Sequence, residues 1–338
     1  MLQIGNKHID DGAPPYVIAE VGINARSDIE LAKAHIDAAA SSGADAVKFQ
    51  THIPEAEMAR SEMEEIGASE VYETVASNVW SRNEHEELQA HCEACGVDFI
   101  STPFSAAGVD ILADLDVPAI KIGSGEMENR EILDAAAATG KPLLVSTGMR
   151  TPEDVQETFD FITQRTESLS FLYCVSAYPT EPEDLNLAYI EELSETYGVP
   201  VGFSDHSTGI EAAVLALGYD VAVIEKHFTI DRRLPGPDQS VSIEPEELSR
   251  LTDFIEYREQ AQGTSKEIIA EEEEVKQWAD HSLVTNKDVA AGEQFDEANL
   301  TTKRPGTGIS ASRYFDVLGR EAAKDMSADE VVTEGDLT

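Results

Sequence analysis

Apolar residues in this chain fall in short runs that recur with a regular spacing. The runs YVIAEV (16–21), DAVKFQ (45–50), VDFIST (97–102), AIKIGS (119–124), PLLVST (142–147), LSFLYCVS (169–176), PVGFSD (200–205) and VAVIEKHF (221–228) have the length and apolar content of buried strands. A segment of helical period follows each one, at about 28–42, 83–95, 106–115, 129–139, 152–165, 184–197, 209–218 and 245–261. Thr151 ahead of Pro152 reads as a helix start, and so does Thr208 with Glu211 ahead of AAVLAL. Eight strand–helix units in roughly 250 residues predict an α/β fold of the (β/α)8 TIM-barrel type. A doubly wound dinucleotide-binding sheet would carry G-x-G-x-x-G after its first strand, and none follows YVIAEV. The segment 51–82 is long for a βα connection and is predicted to be partly helical, in the position of a lid or substrate loop.

The pattern changes at Gly263. GTSKEIIAEEEEVKQWAD is polar and acidic, which predicts a linker over 263–280 between a barrel domain, 1–262, and a small C-terminal unit, 281–338. A unit this small is near the lower limit of independent stability and is expected to lean on a barrel, its own or a partner's.

In a barrel the C-terminal strand ends carry the chemistry. Here they bring Glu20; Lys48 and Gln50; Ser101 and Thr102; Lys121, Ser124 and Glu126; Ser146 and Thr147; Cys174, Ser176 and Tyr178; Ser204 and His206; and Glu225 and His227. Alternation along the seventh strand puts Ser204 and His206 on one face and Asp205 on the other, so VGFSDHSTGI does not hold a Ser-His-Asp relay. Histidines on adjacent strands suit one divalent transition ion. Lys48, Lys121, Ser124, Thr102 and Ser204 suit a phosphate group. Asp238, on the stiff PGPD turn, suits a sugar hydroxyl. The same residues also have purely structural readings. Lys121 and Lys226 fit a barrel ion-pair layer, Ser101, Ser146, Thr147 and Thr208 fit helix caps, and Tyr178 before Pro179 fits a packing role at a turn. Cys92 and Cys95 in HCEAC have C-x-x-C spacing, but no second pair accompanies them as a zinc site would require.

Charge narrows the function classes. Asp and Glu number 66 against 24 Lys and Arg, a formal net charge of −42 spread along the whole chain. Such a surface repels nucleic acid and anionic membranes. It suits a high-salt cytoplasm, where screening suppresses self-repulsion, and full stability in dilute buffer across a salt series would contradict that expectation. The three cysteines do not suggest a disulfide framework. The N-terminal stretch is charged where a signal peptide would be apolar, and no apolar run approaches the roughly 18 residues of a membrane span. A cytoplasmic protein is expected.

Taken in order, IAEVGIN, GADAVKFQTH, ISTPFS, KIGSGE, STGM, YPTEPEDLNL, GFSDHSTGIEAA, IEKHFT and PGPD resemble the N-acetylneuraminate (sialic acid) synthases and their legionaminate and pseudaminate relatives. KRPGTGI in the C-terminal unit resembles that family's antifreeze-like (SAF) domain. The resemblance implies a transferase that condenses phosphoenolpyruvate with an N-acylmannosamine-type sugar, giving a nonulosonic acid and phosphate. It implies a divalent metal, Mn2+ with Mg2+ or Co2+ as alternatives, on His206 and His227. Lys48, Thr102, Ser124, Ser176 and Ser204 match phosphoenolpyruvate positions; Glu20, Gln50, Tyr178, Asp238 and Arg304 match sugar positions. Glu126 joins the two histidines as a catalytic candidate, for proton management beside the reacting carbons. Arg304 matches an arginine that a partner subunit inserts into the site, which implies a domain-exchanged homodimer. Some members carry Asn at the position of Ser176 and His at that of Tyr173. The segment 51–82 does not match residue by residue, which leaves the acceptor open: N-acetylmannosamine, its 6-phosphate, or a 2,4-diacetamido-trideoxyhexose, as in a legionaminate or pseudaminate synthase. Two other classes compete, a metal-dependent barrel hydrolase and a non-catalytic sugar-binding protein. The first lacks an H-x-H after strand one, and the second has no use for lysines and histidines gathered around a phosphate.

Overall fold

The computed structural model describes residues 2–9 and 12–338; Met1, Asp10 and Asp11, which carry part of the N-terminal charge noted above, lie outside them. The chain divides into two compact units, residues 1–262 and 263–338.

In the first unit, strands β1 (Tyr16–Gly22), β2 (Ala46–Thr51), β3 (Asp98–Pro103), β4 (Ile120–Ile122), β5 (Leu143–Ser146), β6 (Leu169–Cys174), β7 (Val201–Asp205) and β8 (Val223–His227) close into a barrel in chain order, β8 pairing back onto β1. Every neighbouring pair is parallel. Helices α1 (Ile29–Ser41), α2 (Arg82–Cys95), α3 (Ala106–Asp114), α4 (Arg130–Ala138), α5 (Pro152–Thr163), α6 (Tyr189–Tyr197), α7 (Glu211–Ala216) and α8 (Pro245–Ala261) follow the strands in turn. This is the predicted TIM barrel. Thr151 caps α5 reciprocally with Asp154, Pro152 occupying the first turn.

Three boundaries differ from expectation. Thr208 is exposed and does not cap α7, which starts after Ile210, with Glu211 accepting from the Ile210 N–H instead. The segment 184–197 is helical only from Tyr189, after a short 3-10 turn at Pro182–Asp184. Ser101 does not cap a helix: it bonds Thr51 at 2.7 Å, and Ser105 caps α3. The long segment after β2 folds into three short helices, Pro54–Glu57, Arg60–Glu65 and Ser69–Ala76.

Two apolar layers build this unit. One lies between strands and helices. The other fills the lower barrel with Ile18, Ala46, Ile100, Leu144, Leu172 and Val223, and Leu2, Ile4 and Ile9 of an antiparallel N-terminal hairpin (Leu2–Ile4, Lys7–Ile9) join it as a plug. Gly202 sits in that layer because a Cβ there would lie 2.7 Å from Val223 Cβ and 2.7 Å from its carbonyl oxygen. Outside the barrel, Lys226 of β8 and Asp205 of β7 form a buried ion pair at 2.8 Å, and Asp205 also accepts from Ser207 N–H at 2.8 Å.

The second unit holds helix α9 (Ala270–Ala279), strands β9 (Ser282–Thr285) and β10 (Leu300–Lys303) in an antiparallel pair, and a core of Leu283, Val289, Phe295, Leu300, Ile309, Val317, Ala322, Met326 and Val332. The segment expected to be a linker therefore contains a helix. Its C-terminal turn is tied to the small unit by Gly306 N–H to Gln277 C=O, 2.9 Å.

Asp205 and Lys226 each satisfy a charge the other buries. Asp205→Ala leaves the ammonium uncompensated and is predicted to lower unfolding free energy by about 3–5 kcal/mol. The urea midpoint measures the loss, and an apolar double replacement, Asp205→Leu with Lys226→Met, is predicted to recover much of it.

Candidate active site

Two residues up each strand from the apolar layer, the barrel interior turns polar. Glu20, Lys48, Thr102, Lys121, Ser146, Cys174, Ser204 and Glu225 line the floor of a cavity of about 480 Å3 at the C-terminal strand ends. Strand alternation dictates this, because it carries the interior face from Ile18 to Glu20, Ala46 to Lys48 and Val223 to Glu225.

Four charges meet in that floor. Lys48 lies 2.9 Å from Glu20, 3.6 Å from Glu225 and 3.0 Å from Thr102 Oγ1. Lys121 donates to Ser146 at 2.7 Å and lies 3.9 Å from Glu225, which also accepts a 2.9 Å bond from Ser204. Burial alone would raise the Glu225 carboxyl, but Lys121 and Lys48 outweigh it and hold Glu225 ionised, below the usual carboxylate range. Burial pushes Glu20 up instead; Lys48 offsets this only in part and Glu225 adds to it. Burial lowers Lys121 against the pull of Glu225. For Lys48, the two carboxylates overcome burial and keep its ammonium form.

Above the floor, His206 and His227 face each other with ring centroids 5.4 Å apart. Tyr178 stacks on His206 at 4.1 Å and meets His227 edge-on. The Val175 carbonyl can only accept, so the 2.9 Å contact places the His206 proton on Nδ1 and leaves Nε2 free in the neutral ring. Burial opposes the charged form of His206, and its contacts with Cys174 and the Val175 carbonyl overcome that opposition. His227 is held neutral, first by burial and then by the nearby charges of His206 and Lys48. Its Nδ1 is buried without a hydrogen-bond partner, 3.9 Å from Asp238 Oδ2. An orphaned buried imidazole nitrogen, a second imidazole and a nearby carboxylate fit a divalent transition ion.

The remaining walls come from loops. Glu126 lies on the turn after β4, which ends early at Ile122 because Gly123 starts that turn; the Glu126 carboxylate folds back over Gly123, so that a Cβ there would lie 2.4 Å from its Oε2. Burial raises the Glu126 carboxyl. Ser124 accepts from Gly148 N–H at 3.1 Å, and a Cβ on Gly148 would meet Ser176 Oγ at 2.2 Å and Ser124 Oγ at 2.7 Å, so Gly148 keeps both hydroxyls close together.

The structure thus brings Glu20, Lys48, Gln50, Thr102, Ser124, Glu126, Ser176, Tyr178, Ser204, His206, His227 and Asp238 around one cavity. Arg304 is the one expected site residue outside the barrel unit. It belongs to the second unit, where it donates to the Ala279 carbonyl at 2.9 Å and lies over the Trp278 ring. Ser146 supports Lys121, and no cap role falls to it.

Glu225 was visible in the sequence as an inward residue of β8, but its bridging of both lysines required a closed barrel. His52 was missed altogether. Its ring stacks on Phe104 at 4.3 Å, while Nε2 contacts Gln50 Oε1 at 2.9 Å and Nδ1 contacts Glu57 at 3.1 Å. Gln50 in turn donates to Glu20 at 3.3 Å. Hydrogen bonds therefore run from the Pro54–Glu57 helix through His52 and Gln50 to the charged floor. His52→Asn is predicted to speed amide exchange across 53–77 by about 5–30-fold, the equivalent of about 1–2 kcal/mol. Hydrogen-exchange mass spectrometry reads this, and unchanged exchange would show that the contact does not hold the loop.

The chain is similar to known proteins over nearly all of its length. The profile of the NeuB family matches residues 35–267, and that of the SAF domain matches 281–338. The N,N'-diacetyllegionaminic acid synthase of Campylobacter jejuni is 36% identical over 329 residues, covering 94% of this chain and 98% of that protein. The pseudaminic acid synthase of the same species is 33% identical, covering 99% of this chain and 100% of that protein. The crystal structure of N-acetylneuraminic acid (sialic acid) synthetase from Leptospira borgpetersenii, in complex with citrate, superposes with a TM-score of 0.74 at 33% identity, over 81% of this chain and 94% of that one. With a NeuB match over most of the barrel unit, a SAF match behind it and relatives of this kind along its length, this chain is a member of the NeuB family.

Proposed function

We propose that the protein is a nonulosonic acid synthase that condenses phosphoenolpyruvate with an N-acylated amino sugar and releases phosphate. The observation that carries this reading is the cavity floor. Lys48 and Lys121 flank Glu225 and hold its carboxyl below the usual range, while burial raises the carboxyl of Glu20 beside Lys48. Two lysines are thus gathered at one buried floor in a chain of net charge −42. A small polyanion fits there. A neutral ligand gains nothing from buried ammonium groups, which cost several kcal/mol each to desolvate.

Lys48, Lys121, Thr102, Ser124 and Ser204 supply charge and hydroxyl donors for the phosphate and carboxylate of phosphoenolpyruvate. Ser176, beside Ser124, extends that row. Glu20, Gln50, Tyr178 and Asp238 surround the space left for the acceptor. His206 and His227 would hold a divalent metal, Mn2+ being the first choice, which when bound polarises a carbonyl oxygen as a Lewis acid. In the reaction the enol carbon of phosphoenolpyruvate bonds to the sugar's aldehyde carbon. Water adds to the second carbon, whose bond to the phosphate oxygen then breaks, giving a 2-keto acid and inorganic phosphate. Glu126, with its carboxyl raised by burial and aimed into the cavity, manages the proton of the attacking water. The relatives' names favour a 2,4-diacetamido-trideoxyhexose and a sialic-type acceptor as the two to test first. Consumption of phosphoenolpyruvate fits a cytoplasmic location. Among the described residues no helix is long and apolar enough to cross a membrane.

Phosphate release from phosphoenolpyruvate, with each acceptor and with or without Mn2+, tests the reading. Release must require an acceptor and the metal; no release with any acceptor in high salt would defeat it. Glu126→Gln is predicted to lower kcat by about 10²–10⁴-fold, leaving the phosphoenolpyruvate KM within a few-fold. Near-normal turnover would remove Glu126 from the chemistry.

Arg304 lies on the exposed stretch 303–307 of the SAF unit, which supports its delivery to the cavity of a second copy in a domain-exchanged homodimer. Mixing Arg304→Ala protein with Lys48→Ala protein, each inactive alone, is predicted to restore activity by pairing a sound barrel with a sound arginine. If no activity returns after subunit exchange, the arginine is not shared.

A further inference from the structure

The sequence draws attention to Cys92 and Cys95, but the structure separates them. Cys92 points into the core, fully buried. Cys95 lies one helical turn after His91, on the face of α2 that meets α1. There both side chains converge on Asp37 of α1. His91 Nε2 is 2.7 Å from Asp37 Oδ1, and Cys95 Sγ is 3.3 Å from the same oxygen. One oxygen, one nitrogen and one sulfur donor lie within 4.8 Å of one another, and no other group of three such residues does so among the described residues.

We propose that Asp37, His91 and Cys95 form a surface site for a thiophilic divalent cation of the zinc class, bridging α1 and α2. The donor set is that of zinc, which takes sulfur, imidazole nitrogen and carboxylate oxygen in tetrahedral sites. Two ligands come from one rigid helix at i and i+4, and the third comes from the helix packed against it. In the ion-free state, protons shared with Asp37 Oδ1 occupy the place between the donors. Binding therefore releases the thiol proton to solvent and requires the imidazole to present Nε2 without hydrogen, so that affinity rises with pH. The Asp37 side chain is 62% exposed, which leaves the fourth position open to water and the ion exchangeable. The acidic surface attracts divalent cations to the neighbourhood. This site is separate from the barrel mouth and does not rest on the proposed reaction.

Cobalt(II) is the probe, because a cobalt–thiolate bond absorbs in the near ultraviolet. Cys174→Ser is used as the background, which removes the thiol near His206. In that protein, cobalt is predicted to give the thiolate band, which reports this site alone because the histidine pair at the barrel mouth then has no thiol beside it. Adding Cys95→Ser should abolish the band, while adding Asp37→Asn or His91→Gln should weaken binding at least tenfold. Acidification by one pH unit should weaken it several-fold. No band in the Cys174→Ser background, or an undiminished band after Cys95→Ser in proteins of native circular dichroism, would overturn the proposal.

Discussion

Everything at the mouth of this barrel depends on two ammonium groups and two carboxylates sharing one interior layer. Lys48, Lys121, Glu20 and Glu225 are all buried there. None has enough water to solvate its charge, so each relies on the others and on Thr102, Ser146 and Ser204. The arrangement is asymmetric. Glu225 takes both lysines and stays ionised, while Glu20 has one lysine and resists ionising. Whenever Glu20 takes up a proton while both lysines stay charged, the layer carries spare positive charge, which a neutral mesh of ion pairs would lack. The apolar layer below it, closed by the N-terminal hairpin, keeps water from reaching it from the other end.

The surface is acidic, and the cavity floor holds two lysines among its carboxylates. Over the whole chain acidic residues outnumber basic ones 66 to 24, yet the buried lysines Lys48 and Lys121 lie at the floor of the cavity. The third buried lysine, Lys226, points outward and is consumed by Asp205. The segment after β2 connects the two environments. His52 ties Glu57 on that segment to Gln50 and so to Glu20. A ligand that displaces Gln50 therefore also acts on the loop. This couples the segment 51–82 to the part of the chain that holds the charge.

Much of this was legible before folding because the period of a strand is two. Alternation alone separated Ser204 and His206 from Asp205, and Glu225 and His227 from Lys226, and the structure keeps both separations. Thr151 with Pro152 announced a helix correctly because the cap is local. Thr208 had an equally good local signal and failed. The turn over Ser207–Gly209 delays the helix, and Lys226 fixes that turn through the Ser207 carbonyl, a contact from another strand. Cross-strand partners are what a sequence withholds. The sharing of Glu225 between two lysines, the stacking of Tyr178 on His206 and the reach of His52 back to Gln50 all need the barrel closed. The helix Ala270–Ala279 was hidden for a different reason. Its apolar residues Val275 and Trp278 are exposed in the chain as described, so no buried stripe marked it.

On the proposed reaction the floor holds phosphoenolpyruvate while its carbon–oxygen bond, and not its phosphorus–oxygen bond, is broken. Running the condensation in 18O-labelled water distinguishes the two, because inorganic phosphate does not exchange its oxygens during the assay. Addition of water to the second carbon predicts released phosphate free of label. One 18O in each phosphate would mean that water attacks phosphorus, and it would contradict the account.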